Sequence, residues 1–189
     1  MAVGYKAGEN VSTGSNNIFL GKETGRYAGT PGGNITTDDN RIVLGNNNIT
    51  HLNCKVSTIT TPSDARDKAD VTNFTGGLSW INAMRPVTYK WDERVDYVDK
   101  EGWDGSAEAL LAVTPDGTHK KDPLQIGLLA QEVLEVEKAN GYGSNNDTSL
   151  LVDVLADTSA YSLQYGHLVP ILISAIKELS AKVEALENG

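Results

Sequence analysis

The residues best suited to chemistry fall in one short run, Pro62-Ser63-Asp64-Ala65-Arg66-Asp67-Lys68. A serine hydroxyl becomes a nucleophile when a base takes its proton, and a lysine serves as that base once burial lowers its pKa. Spacing alone does not decide whether Ser63 and Lys68 cooperate. Five residues along a regular helix turn through about 140°, so the two meet only if Ser63 stands off the helix at its cap or if the lysine comes from a neighbouring chain. The run also has a purely structural reading. Ser63 is a good helix N-cap, and Asp64 places an acid in the first turn, where the helix dipole favours it. Both readings stay open at this level.

Elsewhere the reactive residue types are scattered. The single cysteine, Cys54, excludes an intrachain disulfide framework and a multi-thiolate zinc site. His51, His119 and His167 lack ligand spacing, so neither a metal nor another cofactor is expected. Asp92, Glu93, Asp96, Asp99 and Glu101 could suggest glycosidase acids or a calcium loop. They lack calcium-loop spacing, and residues 92–123 read as a charged, solvated insertion.

The elements that must position the Ser63 run differ on its two sides. Residues 1–62 carry five basic against four acidic residues; the remainder carries eleven against twenty-one, a balance of −10 within the overall −9. An acidic domain repels phosphate backbones, which excludes nucleic acid as an expected partner. There is no secretory signal and no apolar run of membrane-spanning length, so no membrane association is expected. Aromatics make up 6% of the 189 residues, with 19 glycines, which is light for a compact enzyme and suits a repetitive or oligomeric architecture.

A short pattern recurs in the first third. Val3-Gly4-Tyr5-Lys6-Ala7-Gly8 resembles Leu20-Gly21-Lys22-Glu23-Thr24-Gly25, and Leu44-Gly45 reopens it before Asn46-Asn47-Asn48. Asn17-Ile18-Phe19-Leu20 and Arg41-Ile42-Val43-Leu44 are β-prone runs, each stopped by glycine and polar turn residues. Units this short bury no core alone and must stack along an axis, within one chain or across chains. Residues 46–62 read as a strand-rich connector, with Ile49, Leu52, Cys54, Val56 and Ile59 spaced for partial burial and Pro62 breaking the ladder.

After Ser63, Leu78, Ile81 and Met84 follow Gly76-Gly77 at helical spacing and stop at Arg85-Pro86. Val87, Tyr89 and Trp91 alternate as a half-buried strand, with Trp80 and Trp91 expected in a core. Residues 126–138 read as an amphipathic helix, and 150–154 with 159–163 as a hairpin. A final helix opens near Tyr165–Pro170. In it Leu172, Ile176, Leu179, Val183 and Leu186 form a coiled-coil seam of about two heptads, too short to stand alone.

Ser63-Asp64-x-Arg66-x-Lys68 resembles the opening signature of the intramolecular chaperone domain of endosialidases and phage tailspikes, the S74 peptidase family. Three further blocks follow in the family's order. Leu78-Ser79-Trp80 through Pro86-Val87-Thr88-Tyr89-Lys90-Trp91 is similar to its helix and Pro-x-x-Tyr-x-Trp strand. Ile126-Gly127-Leu128-Leu129-Ala130-Gln131-Glu132-Val133 is similar to its Ala-Gln-Glu helix. Tyr161-Ser162-Leu163-Gln164-Tyr165-Gly166-His167-Leu168 leads into Ala175-Ile176-Lys177-Glu178-Leu179 as its last helix does.

The resemblance implies an α+β homotrimer. A glycine-rich β stalk, intertwined or stacked (1–62), would precede a mixed helix/strand chaperone domain (63–189) ending in a long helix. It implies that the domain drives trimerisation and folding of the stalk and upstream fibre. It implies a single-turnover cut between Pro62 and Ser63, with Ser63 as nucleophile, Lys68 as base, Asp64 and Arg66 as motif support, and no cofactor. The setting implied is a phage virion tail made in a host cytoplasm. The alternatives are an uncut trimerisation tip, or a fibre tip that binds a host surface receptor, for which residues 1–62 show no aromatic sugar platform.

Overall fold

The computed structural model describes residues 1–56, 58–155 and 160–189. Among these described residues seven strands and four α-helices run in the order β1 (Ala2–Val3), β2 (Ile18–Leu20), β3 (Ile42–Leu44), α1 (Leu78–Ala83), β4 (Val87–Tyr89), α2 (Ala107–Leu111), β5 (Gln125–Gly127), α3 (Ala130–Ala139), β6 (Val152–Val154), β7 (Tyr161–Leu163) and α4 (Leu168–Glu187). This is an α+β chain with a long C-terminal helix. Its contacts divide it into two compact units, residues 1–49 with 84–164, and residues 50–83 with 165–189.

In the first unit, β1, β2 and β3 pair in parallel, with Ala2 beside Phe19 and Phe19 beside Val43. The recurring runs therefore stack within one chain, as successive coils. The second coil repeats at 24 residues, an offset the short motif match does not reveal. Ser12 donates to the Thr36 carbonyl, Asn16 to Asn40, and Asn46 to the Lys22 carbonyl, all across that interval. Side-chain ladders of this kind satisfy backbone and amide groups that three-residue strands leave open.

The turn after each strand is a stack of glycines. Gly4 and Gly21 have φ of 134° and 128°, and a Cβ on Gly4 would lie 2.4 Å from the Gly21 carbonyl oxygen. Only glycine meets both the dihedral and the close approach. Inside the coil, Phe19, Ile35 and Val43 form a small core, Phe19 with 3% of its surface exposed. The motif after Gly25 differs between coils. Seven extra residues, 26–32, separate Gly25 from the stretch that matches the first coil.

Those residues meet the segment that the sequence marks as a solvated insertion. Tyr27 and Ala28 are buried with Val95 and Leu110, and Val98, Trp103 and Ala107 pack around them. The charged residues of 92–123 are solvated or paired with one another, but its apolar positions are core. Charge density hides them because they are spaced singly.

The rest of this unit is two small antiparallel pairs and a helix. Val87 of β4 lies opposite Gly127 of β5. The expected helix over 126–138 begins only at Ala130, because Gln125–Gly127 is taken as a strand by β4. Trp91 lies beyond β4, is 52% exposed and meets Tyr89 edge-on at 5.2 Å, so it is not a core residue in the single chain. β6 and β7 form the expected hairpin, Val152 opposite Leu163, although Ser159 of that expectation lies outside the described residues. The loop before it is fixed by Glu137, a fully buried carboxylate on α3. It accepts hydrogen bonds from Ser149 Oγ at 2.7 Å and from the Leu150 and Leu151 amides at 2.6 and 2.8 Å. A buried carboxylate is tolerable only with such partners.

In the second unit, α1 packs on α4. Trp80 is 1% exposed, Phe74 meets it edge-on at 5.4 Å, and Ile171 and Ala175 are the buried residues of α4. Pro170 sits in the first turn of α4, where its missing N–H costs nothing. The connector differs from expectation. Among the described residues between Asn46 and Pro62 there is no strand, and Leu52, Val56 and Ile59 are exposed, Ile59 at 96%. β-branched residues favour strands only when another strand is there to pair with them, and the described residues provide none for this segment.

Candidate active site

The Ser63 run folds as a single tight turn. Residues Ala65–Asp67 form one turn of 3-10 helix, entered from Asp64 and left at Lys68, both in extended conformation. Asp64, not Ser63, is the N-cap; its Oδ1 accepts the Arg66 amide at 2.9 Å. This settles the spacing problem. Ser63 stands before the cap and Lys68 after the last helical residue, so the 140° of a regular helix does not apply.

Across that turn Lys68 Nζ donates to Ser63 Oγ at 2.7 Å. Both residues belong to the same chain, so no neighbouring copy is needed to bring them together. Arg66 folds back on the cap in a two-pronged pair: Nε lies 3.0 Å from Asp64 Oδ1, and Nη2 lies 2.6 Å from Oδ2. The Arg66 side chain and amide hold the Asp64 carboxyl below its ordinary range, and the carboxylate in turn raises Arg66. Asp64 and Arg66 therefore fix the turn whose two ends carry Ser63 and Lys68. They do not touch either side chain of that pair.

All of these residues are exposed. The pair lies open to water, and within this unit the buried groups are those of the α1–α4 contact. There Glu178 Oε2 accepts the Leu78 amide at 3.1 Å, supplying the cap that Gly76-Gly77 cannot. A Cβ on Gly77 would fall 2.1 Å from Glu178 Oε1, so this glycine permits the approach of α4. The sequence reading did not pick out Glu178 for this role. A helix opening on two glycines, with no side chain of its own to bind the first amides, is the signal that a distant acceptor is required.

The other candidate residues are used structurally. Asp92 accepts the Tyr97 hydroxyl at 2.8 Å and the Gly117 amide at 2.9 Å. Asp96 accepts Lys121 Nζ at 2.6 Å. Glu93 is pushed up by burial and then by the Asp96 charge. Cys54 is exposed, His51 hydrogen-bonds Thr50, and His119 lies edge-on to Tyr97 at 4.5 Å. Among the described residues, no group of three or more such side chains converges as metal ligands, and no helix is long and apolar enough to cross a membrane.

Two blocks of the resemblance are joined in space. Arg85, before the Pro86 strand, pairs with Glu132 of α3, Nε to Oε2 at 3.2 Å. Residues 63–142 match the family model described as chaperone of endosialidase, Peptidase_S74. The match opens at Ser63 and ends before the 161–179 block. No curated protein and no solved structure matches the chain.

Proposed function

We propose, from the match of residues 63–142 to the family model described as chaperone of endosialidase, that the chain belongs to a phage tail fibre or tailspike and that its residues from Ser63 onward assemble three copies and then cut themselves free at Pro62–Ser63. The observation that carries the cut is the 2.7 Å contact of Lys68 Nζ with Ser63 Oγ at the first residue of the matched domain. Ser63 Oγ adds to the Pro62 carbonyl carbon as Lys68 takes the hydroxyl proton. Only the nitrogen, Cα and Cβ of Ser63 separate the nucleophile from that carbon, so attack closes a five-membered ring and proximity is built in. The C–N bond then breaks, the proton passes to the departing Ser63 amine, and an ester joins Pro62 to Ser63 Oγ. Water hydrolyses the ester to a Pro62 carboxylate and restores the hydroxyl.

A lysine accepts a proton at neutral pH only when it is withdrawn from water. In one copy Ser63 and Lys68 are exposed, and so are Leu52, Val56 and Ile59 just before them. On α4, Leu172, Ile176, Leu179, Val183 and Leu186 are exposed along one seam, while Ile171 and Ala175 face inward. Three copies associating through these apolar residues would cover them and dry the dyad. Cutting would thus wait for assembly, and would make the assembled stalk kinetically irreversible. The open dyad of the single copy also favours a second reading, a domain that stays attached as a permanent tip.

Intact-mass measurement of the purified protein separates the two. Self-cutting predicts fragments ending at Pro62 and beginning at Ser63, absent from Ser63→Ala. A wild-type protein that stays whole after assembly supports the permanent tip.

A further inference from the structure

The seven residues that lengthen the second coil loop out of it. They leave it at Gly25 and rejoin it where Ile35 N donates to the Gly25 carbonyl at 3.0 Å. Between those points they carry Tyr27 and Ala28 into a pocket formed by residues 92–112 of the matched domain. The Tyr27 ring stacks on Trp103 at 4.9 Å, with 13° between planes. Ala28 N donates to the Gly105 carbonyl at 2.8 Å, and Asn10 Nδ2 reaches the carbonyls of Arg26 and Asp104 at 3.0 and 2.9 Å. Gly105 has no room for a side chain, since a Cβ there would lie 2.1 Å from the Arg26 oxygen. Arg26 is itself braced by Glu9 at 2.6 Å and Glu23 at 3.1 Å, which ties the start of the loop to the first two coils.

From this we infer that residues 92–112 are a client-binding site of the chaperone domain, and that the client is the 26–32 loop of the chain's own second coil. The Ile35 amide closes the loop on the Gly25 carbonyl, so the site meets the segment as part of a folded coil. Its contacts do not run through the 50–62 connector. They hold residues 1–49 against the domain whether or not the peptide is intact, so release after a cut at Pro62 waits for this contact to open. The biological purpose rests on the chaperone reading above; the docking does not rest on self-cutting.

The test supplies the cut from outside. In full-length Ser63→Ala, a site-specific protease sequence replaces residues 53–59, and the digested protein is run on size exclusion. The two pieces should co-elute with the parent sequence. They should separate at least tenfold faster in Tyr27→Ala and in Gly105→Val. Should either change prevent folding, Asn10→Ala serves as the milder variant, and in the uncut chain the Ala28 amide should exchange at least tenfold more slowly than in Gly105→Val. Separation of the parent pieces, co-elution undiminished in all three variants, or an unprotected Ala28 amide overturns the inference. Failure of wild-type protein to cut itself would bear on the proposed reaction and leave this result standing.

Discussion

Residues 50–62 hold six β-branched residues among thirteen and no glycine, against twelve among forty-nine with nine glycines in residues 1–49, yet the β-rich stretch is the one whose Leu52, Val56 and Ile59 lie open. In the coils every strand has a neighbour one turn away, Ile18 beside Ile42 and Leu20 beside Leu44. In the connector, Leu52, Val56 and Ile59 have no partner strand among the described residues. Propensity would favour strand in the connector, and what it lacks is the supply of partners. The lesson extends to the Ser63–Lys68 pair, which is formed but uncovered. On the proposed function, the exposed Leu52, Val56, Ile59, Ser63 and Lys68 are the residues that other copies would cover.

The largest expected effect lies in that open stretch. Lys68→Met removes the base and should slow the cut by about 10²–10⁴-fold, followed as the loss of full-length chain with time. A cut rate unchanged by this substitution would separate Lys68 from the chemistry.

Next come the buried residues. Phe19→Ala in the coil should cost about 3–5 kcal/mol, read as a fall in the urea midpoint for loss of the N-terminal coils. Ile59→Ala, by contrast, removes a side chain that touches little in one copy. It should leave that midpoint unchanged while weakening association, so equal effects of the two substitutions would erase the contrast. Gly77→Ala sets a methyl against Glu178 and α4. Overpacking of this kind costs about 1–3 kcal/mol and should appear as loss of protection at the Leu78 amide.

The smallest effect concerns pH. The Ser15 amide and hydroxyl donate to Asp39, at 2.5 and 2.8 Å, and hold its carboxyl below the ordinary 3.8. A carboxyl lowered in the folded state adds stability above 3.8 and loses it as pH falls through the folded value. Exchange at the Ser15 amide should therefore quicken below pH 3.8, after correction for intrinsic rates, and the step should vanish in Asp39→Ala.

What could be read from sequence follows the same division. The strands at Ile18–Leu20 and Ile42–Leu44 were legible because each ends at a glycine that only one backbone conformation needs. The helix after Gly76-Gly77, the strand at Val87–Tyr89, the hairpin and the last helix were legible from local period and proline. The connector was misread as strand because propensity counts residue types and not the neighbours they require. Val95, Leu110 and Trp103 were passed over because their partners, Tyr27 and Ala28, lie far away in sequence. The helix over 126–138 was started too early because a partner strand claims Gln125–Gly127. At the candidate site, residue type makes Ser63 and Lys68 a possible nucleophile and base, and only the family resemblance favours that reading over a helix cap. The geometry that joins them depends on Asp64 taking the cap in place of Ser63, a choice between two adjacent capping residues that propensity does not decide.

The account stands on the open stretch and the α4 seam being covered by other copies. Sedimentation equilibrium of full-length Ser63→Ala, which cannot shed a fragment by the proposed route, measures this directly. A mass three times the 20.2 kDa of one chain is predicted, and a single-chain mass at micromolar concentration would contradict it.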